Sequence, residues 1–267
     1  TSYKQLGDAQ FQTGDYKSAI GNYEIFMTKK RVNPKIREKA ERSLANARFG
    51  AVTKESPVPF DPKNLGETVN TDQYEYFPVL TADEQTLVFT RNQRRSAATD
   101  YQEDFYVSFS EEEGNWSQAM NFGEPINTDD NEGAQTITAD GSQLFFIGCN
   151  RKDGKGSCDI YRALRKGKKW GKPVNLDSPV NSSKWETQPS ISADGKTLYF
   201  VSNRAGGYGG PDIWVTQLAP NNEWTVPRNL GEEINTPFAE ETPFIHPDGK
   251  TLYFTSNGHV GMGEKDI

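Results

Sequence analysis

Apolar residues recur at helical spacing in the first 50 positions of the chain. In the second of the predicted helices these positions are Tyr16, Ala19, Ile20, Tyr23 and Phe26. Apolar side chains at such intervals mark one face of an α-helix. A Gly14-Asp15 break precedes this helix, and a third helix is predicted from Pro34 to about Arg48, because proline suits a first turn. The pattern predicts a helical domain over residues 1–52.

The pattern changes to that of a linker and then to that of β-strands. Residues 53–63 read TKESPVPFDPK and contain three prolines without an apolar period, which is typical of an extended linker. Beyond them, apolar runs rich in Phe, Tyr, Ile and Val indicate strands. Each of four runs follows a turn with aspartate: ADEQT-LVFT, ADGSQ-LFFIG, ADGKT-LYFVS and PDGKT-LYFTS. An Asp-Gly step supplies the positive φ of a tight hairpin turn, so each run predicts a hairpin.

These hairpins belong to a repeat of roughly 54 residues, a period typical of repeat architectures. An Asn-Leu-Gly signal or a close variant recurs at offsets of 57, 54 and 54, at Asn64, Asn121, Asn175 and Asn229. Three units have a tryptophan at equal spacing, at Trp116, Trp170 and Trp224. The hairpin, a third strand after a glycine-rich loop and a fourth strand at the tryptophan give four strands per unit, the signature of a β-propeller blade. The predicted fold class is therefore α + all-β, with the propeller over residues 64–267.

The glycine-rich segment NRAGGYGGPDIWV, residues 203–215, raises the question of a ligand loop. A phosphate-binding loop runs from a strand into the N-terminus of a helix. Here the segment leads into another strand, so we predict a turn. The aspartate that ends it recurs at Asp104, Asp159, Asp212 and Asp266, and we expect it to accept hydrogen bonds from loop N–H groups.

The repeat units resemble those of TolB-type β-propellers. The resemblance rests on E-x-x-P-x-[IF]-x-x-DGKTLYF-x-SN-R-x-GG-x-GG-x-DIW, as read in residues 186–214. Residues 240–267 match almost as closely, and residues 64–122 match more loosely because Glu84 replaces the turn glycine. The first helices resemble a tetratricopeptide repeat, on Tyr3, Leu6-Gly7, Gly14, Tyr16, Ala19 and Tyr23. Such helices before such a propeller are similar to the OmpA-family lipoproteins of Bacteroidetes, the PorE-like proteins of the type IX secretion system among them.

The resemblance implies a WD40-like propeller of about six blades, of which three and most of a fourth lie in this sequence. It implies a periplasmic protein at the outer membrane that acts as a non-catalytic scaffold or tether. Its partners would be outer-membrane and periplasmic proteins of type IX secretion or gliding machinery, while peptidoglycan contact belongs in that family to a domain outside this sequence. Two alternatives stay open: a Tol-like accessory protein that binds a peptide, and the regulatory propeller of a larger hydrolase.

Charge and composition argue against several functional classes. The net charge of −7 and the pI near 5.1 argue against a nucleic-acid binder held by phosphate neutralisation. No apolar run approaches the roughly 18 residues of a membrane span. No G-x-S-x-G is present, and neither His246 nor His259 lies in a sequence context typical of a Ser or Cys nucleophile. We predict no catalytic residue, metal ligand or cofactor site.

Cys149 and Cys158 are the two cysteines of the chain and flank the glycine loop of one unit. Residues opposed across a hairpin can meet the distance limits of a disulfide. An oxidising periplasm, which the resemblance implies, favours the bond. We predict a disulfide, with free thiols or a metal site as the alternatives.

Two sets of charged residues are candidate contacts for a partner. A glutamate recurs eight residues before each turn aspartate, at Glu75, Glu132, Glu186 and Glu240. These residues would begin the innermost strands and ring one mouth of the channel; alternatively, each carboxylate binds backbone N–H groups of a neighbouring blade. The second set, Arg91, Arg94 and Arg95, lies in an insert over residues 91–102 that breaks the repeat and is expected to be exposed. A solvated variable loop is the alternative for that insert.

Overall fold

The structure is a computed structural model that describes residues 2–94, 101–167, 169–263 and 265–267. Contacts divide the chain into two compact units, Thr1–Pro62 with Ser256–Ile267, and Lys63–Thr255. Within the described ranges, no helix combines the length and apolar character that a bilayer crossing requires.

The first unit contains three helices in its described residues: α1 (Ser2–Gln12), α2 (Tyr16–Met27) and α3 (Pro34–Thr53). Ala19 and Tyr23 of α2 pack against Ala47 of α3 in a small core. A Cβ atom on Gly7 would lie 2.7 Å from the Tyr23 ring, so the glycine lets α1 approach α2 closely. The helical domain that the periodicity predicts is present.

The predicted end of α3 near Arg48 is wrong, because the helix continues to Thr53. Its last turn packs on the first turn of α2: a Cβ atom on Gly50 would lie 2.8 Å from the Tyr16 ring. A glycine near a helix end suggests a terminus from sequence alone. Here it serves close packing inside the helix.

The segment Ser256–Ile267 belongs to the first unit by its contacts. Arg42 of α3 donates to the Asn257 carbonyl at 3.2 Å, and Gly261 N donates to Asn46 Oδ1 at 3.3 Å. The sequence assigns these residues to a propeller over residues 64–267, whereas the contacts group them with the helices.

The second unit consists of antiparallel sheets whose strands follow one another in chain order. The first sheet holds β1 (Tyr74–Leu80), β2 (Thr86–Arg94), β3 (Tyr101–Phe109) and β4 (Met120–Asn121). The second holds β5 (Glu132–Ile137), β6 (Gln143–Cys149), β7 (Cys158–Lys166), β8 (Lys169–Trp170) and β9 (Val174–Asn175), with β8 and β9 both paired to β7. The third holds β10 (Glu186–Ile191), β11 (Thr197–Ser202), β12 (Asp212–Gln217) and β13 (Arg228–Asn229). The last described pair is β14 (Glu240–Ile245) and β15 (Leu252–Ser256).

The sheets stack face to face, with their first strands side by side. Strand β1 lies beside β5, β5 beside β10, and β10 beside β14. Apolar cores fill the space between successive sheets: Phe145 of β6 packs with Leu198 and Phe200 of β11. Repeated antiparallel sheets packed in this way form a β-propeller-like arrangement.

The fourth strand was predicted at the tryptophan of each unit, and in the second sheet Trp170 does lie in a strand, β8, paired with β7. In the first and third sheets the outer strand is the residue pair that ends at Asn121 or Asn229. Trp116 and Trp224 each form an isolated bridge instead. The asparagine is the better landmark because its side chain fixes the chain there: Asn229 Oδ1 accepts from Gly231 N at 2.9 Å and from Asn235 Nδ2 at 2.8 Å.

Candidate functional site

Each inner strand is interrupted at the same place by a residue with positive φ. The four residues are Phe77 (51°), Ala134 (48°), Gln188 (47°) and Thr242 (49°). In β1, β5 and β10 the pairing register shifts at this point, as it does at a β-bulge. A non-glycine residue in this region costs about 1–3 kcal/mol and persists where the surrounding structure imposes it. The bulges are not among the features predicted from the sequence, although proline at the next position of three inner strands is a signal for them.

Side chains near the bulges join neighbouring inner strands. Thr242 N donates to Gln188 Oε1 at 2.8 Å, which joins β14 to β10. Further along the same two strands, Ile245 N of β14 donates to Ser190 Oγ of β10 at 2.9 Å. Gln135 Nε2 of β5 donates to the Phe77 carbonyl of β1. The strained residues are thus held by contacts between sheets.

The four inner strands line an open groove, which we call the axial groove. Its smaller part, about 270 Å³, lies at the bulges, and a larger part of about 510 Å³ extends toward the turn aspartates. Residues of the two parts include Phe77, Pro78, Leu80, Gln188, Pro243 and Phe244. Leu80 is 47% exposed and Phe244 is 49% exposed. Among the described lining residues of both parts, Glu84 is the one acidic side chain and none is a lysine or an arginine.

The recurring glutamates lie inside the second unit. Glu132, Glu186 and Glu240 have no exposed surface, and the Glu75 side chain is 9% exposed. Each accepts from the backbone N–H and the hydroxyl of the residue four positions earlier, namely Thr71, Thr128, Ser182 or Thr236. The carboxylates therefore fix the connections that lead into the inner strands, and their burial removes them from the surface of a channel mouth.

Arg91 is not an exposed loop residue, contrary to the expectation for the insert. Strands β2 and β3 continue into the insert, and Arg91 lies in β2 with 7% exposure. Its Nε donates to Glu75 Oε1 at 2.9 Å, and its Nη2 donates to the Val69 carbonyl at 2.7 Å. Arg94 ends β2 and is exposed, while Arg95 lies outside the described residues.

Two further arginines repeat the arrangement of Arg91. Arg151 pairs with Glu132, and Arg204 pairs with Glu186 at 3.0 Å. Each guanidinium lies over two aromatic rings, with the Arg204 guanidinium 4.9 Å from the centre of the Phe200 ring. Burial raises the pKa of the Glu132 carboxyl above its usual range, against the hydrogen bonds from Thr128 and Arg151. Burial also lowers the pKa of Arg204 from its usual value, against the attraction of Glu186.

The glycine-rich loop of residues 203–215 is filled by protein atoms. A Cβ atom on Gly207 would lie 2.0 Å from Asp212 Oδ2, and one on Gly209 would lie 2.2 Å from the Pro237 carbonyl carbon. Tyr208 N donates to Asp212 Oδ2 at 2.6 Å, as expected for the recurring aspartate. Burial raises the pKa of Asp212, whose Oδ1 has no hydrogen-bond partner among the described residues. The glycines are needed because the loop packs against its own aspartate and the next connection.

Cys149 and Cys158 face each other across β6 and β7 and form a disulfide with an S–S distance of 2.02 Å. His246, which lines the larger part of the axial groove, lies 3.3 Å from Asp248. His259 lies in the first unit. Within the described ranges, no three His, Cys, Asp or Glu side chains cluster in a way that could hold a metal ion.

No protein family and no curated protein matches the sequence. Among solved structures, the putative TolB from Agrobacterium tumefaciens is 16% identical, with a TM-score of 0.41 over 69% of this chain and 70% of that one. A puromycin-hydrolysing peptidase of Mycobacterium tuberculosis is 12% identical, with a TM-score of 0.42 over 63% of this chain and 24% of the peptidase. A Trypanosoma rangeli sialidase bound to the inhibitor DANA is 13% identical, with a TM-score of 0.42 over 68% of this chain and 34% of the enzyme. The chain thus spans about a quarter of the peptidase and a third of the sialidase, and this likeness carries no activity or ligand over to it.

Proposed function

We propose that this protein is a non-catalytic scaffold that holds a segment of a partner protein in its axial groove. The observation that carries the proposal is the groove itself, an open concave surface that crosses four inner strands. Half-exposed apolar side chains such as Leu80 and Phe244 lie along it. Concave sites with apolar walls and a few placed polar groups are common binding sites.

The polar groups of the groove suit an uncharged, extended peptide. Gln188 Oε1 is engaged by Thr242 N, while the Gln188 Nε2 donors have no partner within the described part of the chain. A peptide carbonyl would satisfy them. With no lysine or arginine among the described lining residues, an acidic segment would lack a counter-charge. An apolar segment would gain burial instead.

The recurring charged residues support a framework role better than a catalytic one. Glu186 accepts bonds from Ser182, Ser202 and Arg204 and has no exposed surface. A general acid or base must reach a substrate proton within hydrogen-bond distance. The resemblance to periplasmic OmpA-family lipoproteins supports partners from an outer-membrane assembly of the type IX secretion kind.

Quantitative co-purification with a groove variant tests this function. Phe244→Asp places a charge in the apolar groove at a half-exposed position, and Val226→Asp places the same charge at an 80% exposed position outside the lining residues. We expect Phe244→Asp to reduce recovery of outer-membrane assembly proteins at least tenfold, while Val226→Asp leaves it unchanged. Equal recovery with both variants, or no assembly protein with the unaltered chain, would overturn the proposal.

A further inference from the structure

A second cavity lies away from the axial groove, between the second and third sheets. It measures about 410 Å³, within the range of small-molecule sites. Its walls include Arg162 and Val174 of the second sheet, Ser178 after it, and Asn222, Glu223 and Trp224 in the connection between β12 and β13. We call it the inter-sheet crevice.

Arg162 departs from the repeat at a defined position of the sheet. In the second sheet Arg162 pairs with Val174 on the neighbouring strand. The equivalent pairs are Val107 with Met120 in the first sheet and Val215 with Arg228 in the third. The other two sheets thus have valine where the second has arginine. Val215 is 3% exposed, so this position belongs to the apolar interior in the third sheet.

The Arg162 guanidinium has no hydrogen bond or ion pair with any described residue. By contrast, Arg91, Arg151 and Arg204 each pair with a glutamate. Arg162 as a whole residue is partly buried, and a carboxylate is the group that matches the planar donors of a guanidinium. The unpaired arginine marks a place for an anionic group inside the crevice.

The other walls offer an aromatic ring and further polar groups. Trp224 packs edge-on against Phe145, with ring centres 6.1 Å apart, and its indole N–H has no partner among the described residues. The same holds for the Ser178 hydroxyl and the Asn222 side-chain amide. Glu223 Oε2 accepts from Asn221 at 2.7 Å and brings an acceptor to the rim.

We propose that the inter-sheet crevice binds a sugar ring that carries a carboxylate. Arg162 would bind the carboxylate through two parallel N–H···O bonds. Trp224 offers apolar surface to the ring, and the hydroxyl and amide groups match sugar hydroxyls. The site is independent of the axial groove and shares none of the residues named for it.

Ligand titrations followed by NMR of the tryptophan indole N–H signals test the site, with D-galacturonate, D-galactose and acetate as probes. We expect D-galacturonate to shift the Trp224 signal with saturation. D-Galactose, which lacks the carboxylate, and acetate, which lacks the ring, should bind at least tenfold more weakly. Absence of saturable galacturonate binding would refute the site, and acetate binding as tight as galacturonate would refute the sugar as its ligand.

Arg162→Val is the matched variant, because valine occupies the equivalent position in the neighbouring sheets and suits a strand. Its thermal unfolding should match that of the unaltered chain, while its affinity for D-galacturonate falls at least tenfold. Arg165→Ala, on the same strand and outside the crevice lining, is the control and should bind as the unaltered chain does. Unchanged galacturonate affinity in Arg162→Val would overturn the assignment.

Discussion

The guanidinium of Arg204 lies 3.0 Å from the carboxylate of Glu186, and both side chains are withdrawn from solvent, with exposures of 12% and 0%. In the first sheet the same pairing is made by Arg91 and Glu75 at 2.9 Å. Arg91 stands opposite Glu75 in the ladder, whereas Ser202 stands opposite Glu186 and Arg204 comes two residues later. The arginine thus comes from two different positions of the repeat, yet in both sheets it pairs with the recurring glutamate. This indicates that the ion pair stabilises the sheet framework.

Glu186→Gln should strongly destabilise the second unit. Removal of one partner of a buried ion pair leaves the other charge uncompensated, at a cost of about 3–5 kcal/mol. The free energy of unfolding from urea denaturation measures this loss. Glu233→Gln, at an exposed position, is the control and should change it by less than about 0.5 kcal/mol. Equal effects of the two substitutions would contradict the framework role.

Gly209→Ala should destabilise the protein by about 1–3 kcal/mol, because the added methyl group overlaps the backbone at Pro237. The control is Gly133→Ala, whose Cβ atom would meet its nearest neighbour at 3.5 Å, and no loss is expected there. Urea denaturation compares the two variants. If Gly209→Ala were as stable as the unaltered chain, the loop would have room for a ligand after all.

The stability of the second unit should fall as the pH rises above the ordinary pKa of aspartate. Burial raises the pKa of Asp212 above its usual 3.8, so the folded state holds the proton more tightly than the unfolded state. Its contribution is complete below that value and is lost as the pH rises through the folded pKa. Asp212→Asn removes this titrating group. The free energy of unfolding, measured by urea denaturation between about pH 4 and pH 7, should therefore decrease less in the variant than in the unaltered chain.

Asp194→Asn is the control, because the contribution of Asp194 to stability depends on pH in the opposite direction to that of Asp212. The Ser192 hydroxyl lowers the pKa of Asp194, so its contribution is present above 3.8 and is lost as the pH falls through the folded pKa. Asp194→Asn should reduce the loss of unfolding free energy at acid pH and leave its decrease above about pH 4 unchanged. If Asp212→Asn shows the same decrease in unfolding free energy between about pH 4 and pH 7 as the unaltered chain, Asp212 is not its cause.

Removal of the disulfide should cost about 2–3 kcal/mol, the value for a short loop, because Cys149 and Cys158 are nine residues apart. The double substitution to serine and reduction of the unaltered chain should lower the free energy of unfolding by similar amounts. The disulfide would be contradicted if thiol titration found free cysteines in the untreated protein and reduction left the free energy of unfolding unchanged.

The repeat allowed the sheets to be predicted because its landmarks have local causes. An Asp-Gly turn at Asp194-Gly195 and an apolar run after it specify a hairpin through neighbouring residues alone, and Gly195 has the expected positive φ of 70°. The short outer strands could not be placed in the same way. In the third sheet the outer strand depends on the side-chain amide of Asn229, which donates to Asp212 Oδ2 at 3.0 Å, 17 residues away in the chain.

The groove and the crevice could not be predicted from local patterns. Pro189 signals a bulge at Gln188, but the alignment of the bulges along one groove depends on contacts such as that of Gln188 with Thr242, 54 residues away. Arg162 could have been singled out, since it stands where the aligned units have valine, but its lack of a partner is visible only in three dimensions. The same holds for Arg91, whose burial follows from the Glu75 carboxylate across the ladder.

Site-specific photo-crosslinking from the axial groove tests the central claim most directly. A benzophenone side chain at Phe244, irradiated in intact cells, should crosslink to a small set of outer-membrane assembly proteins, and the same group at Val226 should not. Crosslinks that map the partner to one extended segment would agree with the groove as its binding site. Identical crosslinking from both positions, or none to an assembly protein from Phe244, would contradict the account.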